Sequence, residues 1–172
     1  KAVIAYDSRL YSYEFAKKAA AVLAGNGIKT YIFKELRPTP ELSFAIRYLK
    51  CTTGIVITAS HNPKEYNGYK AYWNDGAQLI TPHDKGVIDE VRKITSLNQV
   101  KEDDFNKLLD KDLIEWIGEE IDEVFIDEIL KLSINKNVLA KSKIKIVYTP
   151  LHGTGGTLIP KAIKKLGLPE PV

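Results

Sequence analysis

The chain has 172 residues, 44% of them hydrophobic, and carries 25 Lys and Arg against 22 Asp and Glu for a net charge of +3. That is enough for one domain and part of another, with a sizeable buried core. It contains no run of about 18 apolar residues, which excludes a membrane-spanning helix. The single cysteine, Cys51, excludes an internal disulfide framework and fits a small core residue in a cytoplasmic enzyme. No signal peptide is visible, and a start at Lys1 rather than methionine leads us to expect that the native N-terminus lies outside this sequence.

The pattern alternates strands and helices. Ala2–Tyr6 reads as a short apolar strand and Tyr11–Gly25 as an Ala-rich helix, capped by Ser12 and stopped by Gly25. Lys29–Phe33 is a second strand. Thr39-Pro40 places an N-cap before a proline in the first turn of a helix that runs to about Leu49, with Leu42, Ala45, Ile46 and Leu49 on one face. Gly54–Thr58 is the most apolar strand. This order predicts right-handed crossovers in a largely parallel sheet. Beyond it, Tyr69–Trp73 alternates as a strand, Asn74-Asp75-Gly76 is a turn, and Gln78–Ile80 is a candidate return strand. Thr81-Pro82 opens another helix, to about Ile94, with His83 in a structural role in its first turn.

Residues 110–132 have Leu113, Ile117, Ile121, Val124, Ile129 and Leu132 at helical spacing and predict one long acidic helix. Residues 133–143 read as a lysine-rich linker. Ile144–Tyr148 predicts a new strand, followed by a glycine loop and a helix from about Leu158 to Leu166, the opening βα unit of a second domain. The expected architecture is a three-layer α/β/α domain with a mostly parallel mixed sheet over residues 1–135. The first βα unit of a second, similar domain follows over 136–172.

Charge is unevenly spread. Residues 102–128 hold twelve of the 22 acidic residues and only two lysines, Lys107 and Lys111. The acidic side chains read as a solvated helix face. The remainder is strongly positive, which suits an anionic substrate such as a phosphate ester. The basic residues are dispersed, without the block or recognition helix that nucleic-acid binding uses.

The chemistry concentrates at Thr58-Ala-Ser-His-Asn-Pro63, directly after the strand 54–57. A strand that delivers Ser60 to an exposed turn presents a hydroxyl able to accept and donate a group at the sheet edge. The competing reading is a plain Asn-Pro turn capped by Ser60. Tyr6-Asp-Ser-Arg9 closes the first strand, and in a parallel sheet its C-terminal end shares an edge with Ser60. Arg9 could then aim its guanidinium at a phosphate beside Ser60, bidentately, or form an Asp7–Arg9 surface pair. Asn67-Gly-Tyr-Lys70 follows closely. Gly68 permits a tight path, and Lys70 could reach back as general acid or base. His61 could donate to a phosphoryl oxygen or position Ser60. It has no aspartate partner at a recognisable spacing, and Gly-x-Ser-x-Gly is absent, so a Ser-His-Asp hydrolase is poorly supported. His152, with Gly153, Gly155 and Gly156 ahead of a helix, forms a loop that either cradles an anion or simply turns the chain into the next domain. It is not a Walker A loop.

Together these blocks resemble the α-D-phosphohexomutase family. Residues 58–63 look like its phosphoserine loop, and Tyr-Asp-Ser-Arg (6–9), Asn-Gly-Tyr-Lys (67–70) and Thr-Pro-Leu-His-Gly (149–153) fall in the expected order. Tyr72–Gln78 and Thr81–Lys85 look closest to the bacterial phosphoglucomutase branch, which also resembles eukaryotic glucose-1,6-bisphosphate synthases. The resemblance implies an enzyme that interconverts glucose 1-phosphate and glucose 6-phosphate through a phosphoserine at Ser60 and a glucose 1,6-bisphosphate intermediate. It implies catalytic roles for Ser60, Lys70, His61 and Arg9, and substrate contacts from Arg9, His61, Lys70 and His152. It also implies Mg²⁺ bridging the phosphoserine oxygen of Ser60 and three aspartates. The alternatives are a phosphomannomutase, another phosphohexomutase or a phosphopentomutase, or a non-catalytic module that binds sugar phosphates.

The family's metal loop, Asp-Gly-Asp-x-Asp-Arg, its sugar-recognition loop and its C-terminal phosphate-binding domain are absent from these 172 residues. So is the glycine-containing segment expected before the first strand. The expectation is therefore a fragment of a full mutase, without useful mutase activity alone.

Overall fold

The computed structural model describes residues 1–135, 138 and 141–172. They divide into two compact units, 1–117 and 118–172. The first is a five-stranded sheet: β1 (Ala2–Tyr6), β2 (Thr30–Phe33), β3 (Thr53–Ile57), β4 (Tyr69–Trp73) and β5 (Ile114–Ile117), in the order β4-β3-β1-β2-β5. All neighbours are parallel except β3 and β4. The mostly parallel mixed sheet expected from the sequence is present. Every residue of the central β1 is buried, as a strand covered on both faces requires.

The helices form the outer layers. α1 (Ser12–Gly25) lies on β1, β2 and β3 and also meets α4 (Phe105–Asp110). Its buried stripe is Ala16, Ala20, Ala21 and Ala24, small side chains that let the helix approach the sheet closely; Ile4, Ile32, Ile55 and Ile57 fill the space beneath. α2 (Thr39–Tyr48) buries Leu42, Ala45 and Ile46 and packs on β1 and β3. Ile46 and Leu42 sit directly over Gly54, so a β carbon there would collide with Ile46. Proline at the start and Arg47 in the last turn suit α2's two ends. α3 (His83–Arg92) contributes no buried residue, and its His83 ring stacks on Trp73 with centroids 5.3 Å apart. The return strand expected at 78–80 amounts to one bridge, Tyr72 to Gln78.

Two further sequence expectations are corrected in the first 132 residues. The long helix expected over 110–132 is absent: the segment holds the last residue of α4, strand β5 and α5 (Glu119–Lys131). Asp104 caps α4 by accepting from the Asn106 and Lys107 N–H groups. Asp112 then turns left-handed, and the Leu113 carbonyl accepts from the Thr30 N–H at 2.8 Å. The open edge of β2 needs backbone partners, and residues 114–117 supply them. The apolar spacing is real, but Ile117 belongs to a strand and Leu113 to the turn before it. The second correction concerns Ser12, which does not cap α1. Tyr11 holds the N-cap position in a left-handed conformation, and the Ser12 hydroxyl donates to Asp7.

In the second unit, α5 packs on α6 (Leu158–Lys165). Lys161 Nζ lies 2.9 Å from the fully buried Asp122 carboxylate and 3.3 Å from Glu119, while Lys165 Nζ lies 2.6 Å from both Glu123 and Asp127. Burial pulls the Lys161 pKa down, but the bonds and charges of Asp122 and Glu119 outweigh it and leave a net rise. The strand expected at 144–148 is not regular. Instead, Tyr148 N–H donates to the Val172 carbonyl at 2.9 Å, and Val172 N–H donates to Ile146 at 3.0 Å. That is the bond pattern of one parallel rung. The expected linker at 133–143 includes residues 136, 137, 139 and 140, which lie outside the described residues.

Candidate active site

β1 and β3 run parallel in register, from Ala2 opposite Thr53 to Tyr6 opposite Ile57. Both strands therefore end at one edge, and the turns that follow carry Arg9 and Ser60 to the same place. The Asp7 N–H continues the ladder by donating to the Ile57 carbonyl at 3.2 Å.

After β3 the chain leaves the sheet through a fixed turn. Thr58 N–H donates to the Gly68 carbonyl at 3.0 Å, and the Ser60 N–H donates to Thr58 Oγ1, also at 3.0 Å. Ser60 has φ 56°, the left-handed region. A non-glycine residue held there costs about 1–2 kcal/mol, so the surrounding bonds must impose it. The result is a serine whose side chain stands exposed beyond the sheet edge.

Lys70 sits on β4, opposite Val56 of β3. Its ammonium Nζ donates to Ser60 Oγ at 2.7 Å. This distance is the central geometric fact of the site, because it places a proton donor on an exposed hydroxyl.

Arg9 is engaged differently from a free phosphate fork. Its Nη2 donates to the Ser60 carbonyl, and its Nη1 donates to the carbonyls of Pro63 (2.7 Å) and Tyr66 (3.2 Å). Its Nε pairs with Asp7 Oδ2 at 3.1 Å. Both sequence readings of Arg9 are thus partly realised: it pairs with Asp7 and it points at Ser60, but at the backbone of the serine loop. Lys70 and Arg9 meet at Ser60 and Asp7 offsets one of the two charges, so the local balance favours an anion on Oγ.

His61 is exposed next to Ser60. His152 belongs to the second unit, in a turn where Leu151 has φ 48° and Gly153 N–H donates to Pro150 at 2.8 Å. Sequence reasoning missed Ser12 and Asn67 as parts of the site. Asn67 Nδ2 donates to Ser12 Oγ at 2.9 Å and to the Leu10 carbonyl at 3.0 Å. The signal available was the proximity of Asn67 to Lys70 in one motif.

Among the described residues, the side chains do not by themselves make a Mg²⁺ site. No three His, Cys, Asp or Glu side chains among the described residues cluster as a metal site, and the group bonded to Ser60 Oγ is an ammonium. A phosphoserine would supply one anionic ligand oxygen; the others are not in this site.

Comparison with known proteins places this geometry in context. The family model for phosphoglucomutase/phosphomannomutase, alpha/beta/alpha domain I, matches residues 1–98. The chain is 36% identical to human phosphopentomutase over 98% of its length and 28% of that protein's. It is 40% identical to a phosphoglucomutase of Staphylococcus haemolyticus, covering 95% of this chain and 29% of that one. Among solved structures, a phosphomannomutase-type protein of Thermus thermophilus superposes with a TM-score of 0.78 at 26% identity, covering 99% of this chain and 36% of that one. The chain thus spans about a third of the length of the relatives it matches. A match over more than half of the chain, on the segment that carries Arg9, Ser60 and Lys70, shows that it belongs to the phosphoglucomutase/phosphomannomutase family.

Proposed function

We propose that the protein containing this chain interconverts glucose 1-phosphate and glucose 6-phosphate, with Ser60 carrying the phosphoryl group. The observation that carries this reading is the 2.7 Å bond from Lys70 Nζ to Ser60 Oγ on a left-handed turn. When phosphoserine transfers its group, the Oγ–P bond breaks, a bond from the sugar oxygen to phosphorus forms, and negative charge develops on Oγ. Lys70 is aimed at that atom and donates its proton there; the proton of the attacking sugar hydroxyl recharges it. Reversal of these steps returns a phosphoryl group from the bisphosphate intermediate to Ser60 after the sugar has turned over. Arg9 holds the loop in place, and Arg9, His61 and Lys70 line the phosphate's approach. His152, from the opening segment of a second domain, would contact substrate in the complete enzyme.

In this reading, residues 1–135 are the phosphoserine domain and 136–172 begin the next, although the compact units divide at 117/118 and α5 packs on α6. Mg²⁺ would join the phosphoserine with aspartates supplied elsewhere, and no step above depends on it. The lone buried thiol fits a reducing cytoplasm. Pentose phosphates are the second candidate substrates, because a phosphopentomutase is among the similar proteins.

The test is to incubate the full-length enzyme and its Ser60→Ala variant with glucose 1,6-bisphosphate, then measure peptide masses and turnover. The expected result is one phosphoryl group on the 58–63 peptide and activity only in the parent. Retained turnover in Ser60→Ala would sink the assignment.

A further inference from the structure

The strongest unabsorbed feature is a chain of polar contacts that closes on itself behind the serine loop. Arg9 Nε donates to Asp7 Oδ2, while Asp7 Oδ1 accepts from the Arg9 N–H at 3.1 Å and from Ser12 Oγ at 2.8 Å. Ser12 Oγ in turn accepts from Asn67 Nδ2 at 2.9 Å. Asn67 Oδ1 accepts from the Gly68 N–H at 2.9 Å, and the Gly68 carbonyl accepts from the Thr58 N–H. From Thr58 the chain runs to Ser60, whose carbonyl returns to Arg9. The direction of each bond is forced. An Asn67 oxygen facing Gly68 N–H leaves only the amide nitrogen for Ser12, so the Ser12 proton must go to Asp7.

We propose that Ser12 and Asn67 are positioning residues for phosphoryl transfer, acting through Asp7 on Arg9 and thereby on the backbone of the Ser60 loop. Two observations carry this. Ser12 is 1% exposed and spends its hydroxyl on this relay rather than on capping its own helix. Asn67, two residues before β4 and three before Lys70, bonds the turn after β1, so it ties the approach to Lys70's strand to the segment that carries Arg9. A reacting pair displaced by about 1 Å can lose about a hundredfold in rate. This role rests on the proposed transfer at Ser60.

The test uses the full-length enzyme with Ser12→Ala, Ser12→Thr and Asn67→Asp. Asn67→Asp keeps the oxygen for Gly68 and removes the amide donor, and it stands in if Ser12→Ala fails to fold. The expected result is a fall of about tenfold to a hundredfold in kcat, with KM for the sugar phosphate nearly unchanged and partial rescue by Ser12→Thr. In parallel, amide hydrogen exchange should quicken in 59–67 and stay constant in β1 and β3. This readout does not need Ser60 to be the phosphoryl carrier, so it separates a failed relay from a failed Ser60 assignment. Combining Ser12→Ala with Arg9→Lys should cost little more than Arg9→Lys alone, because both act on one fastening. Unchanged kcat in Ser12→Ala and Asn67→Asp, with or without faster exchange, overturns the proposal. So do losses that multiply with Arg9→Lys, or a loss that appears as global destabilisation.

Discussion

Gly68 passes so close to Thr58 that a β carbon on it would stand 2.7 Å from the Thr58 carbonyl oxygen. Real β carbons do not approach backbone oxygens so closely, and neither partner is the flexible end of a side chain. The pairing of Thr58 with Gly68 is what brings the serine loop back to the sheet. Gly68→Ala should push the two apart, destabilise the chain by about 1–3 kcal/mol and lower kcat of the full enzyme at least tenfold, roughly the loss expected when reacting groups are displaced. Urea unfolding and steady-state kinetics measure the two effects. A variant with parental stability and rate would show that the two backbones can separate harmlessly.

Lys70 gives a sharper prediction. Lys70→Met removes the donor on Ser60 Oγ but keeps most of the side chain's length. The kcat of the full enzyme should fall by about 10²–10⁴, while sugar-phosphate binding by calorimetry changes much less. Weaker binding with kcat unchanged would identify Lys70 as a simple substrate contact.

Beneath α2 lies an ion pair with almost no access to water. The Glu41 carboxylate is 0% exposed and lies 3.7 Å from Arg37 Nε. The Arg37 backbone N–H also donates to the Tyr6 carbonyl at 3.1 Å, at the end of the strand leading to Arg9. Glu41→Ala would strip one carboxylate from a buried guanidinium that keeps Glu35 at 3.7 Å, so stability should drop, by less than the roughly 3–5 kcal/mol of a fully uncompensated buried charge. Glu41→Gln should cost less. If Glu41→Ala unfolds at the parental urea concentration, the pair contributes nothing to stability.

Cys51 titrates out of the ordinary range. Burial pushes its pKa from 9.0 to about 11. Below pH 9 the thiol is protonated in folded and unfolded chains, and its contribution is fully present. Between 9 and about 11 the unfolded chain releases the proton and the folded one keeps it, so stability falls as pH rises through that window. Native alkylation of Cys51 should therefore be slow at about pH 8, near the ordinary thiol range, and become fast when urea unfolds the chain. Rapid labelling of the native chain would contradict its buried placement.

Much of the site was legible in the sequence because it is local. Ser60, Lys70 and Arg9 all follow from strand ends on one sheet edge, and β1, β3 and β4 are marked by short apolar or alternating runs. What remained hidden depends on tertiary pairing. Nothing local tells that residues 114–117 complete the edge of β2, since their apolar spacing also fits a helix. Likewise, a serine at a helix start reads as a cap until a half-buried aspartate nearby claims its proton. The Arg9 bonds could not be read either, because peptide carbonyls have no sequence signature.

Those carbonyl bonds have an evolutionary consequence. Arg9 grips the serine loop at the backbone of Ser60, Pro63 and Tyr66, while the side chains of His61, Asn62, Lys64, Glu65 and Tyr66 are exposed. The mooring is therefore indifferent to what those residues are. Mutation can redraw the charge and contour that an incoming ligand meets without loosening the frame around Ser60. One scaffold can in this way vary the surface at these positions while the Ser60 hydroxyl stays where the fold put it.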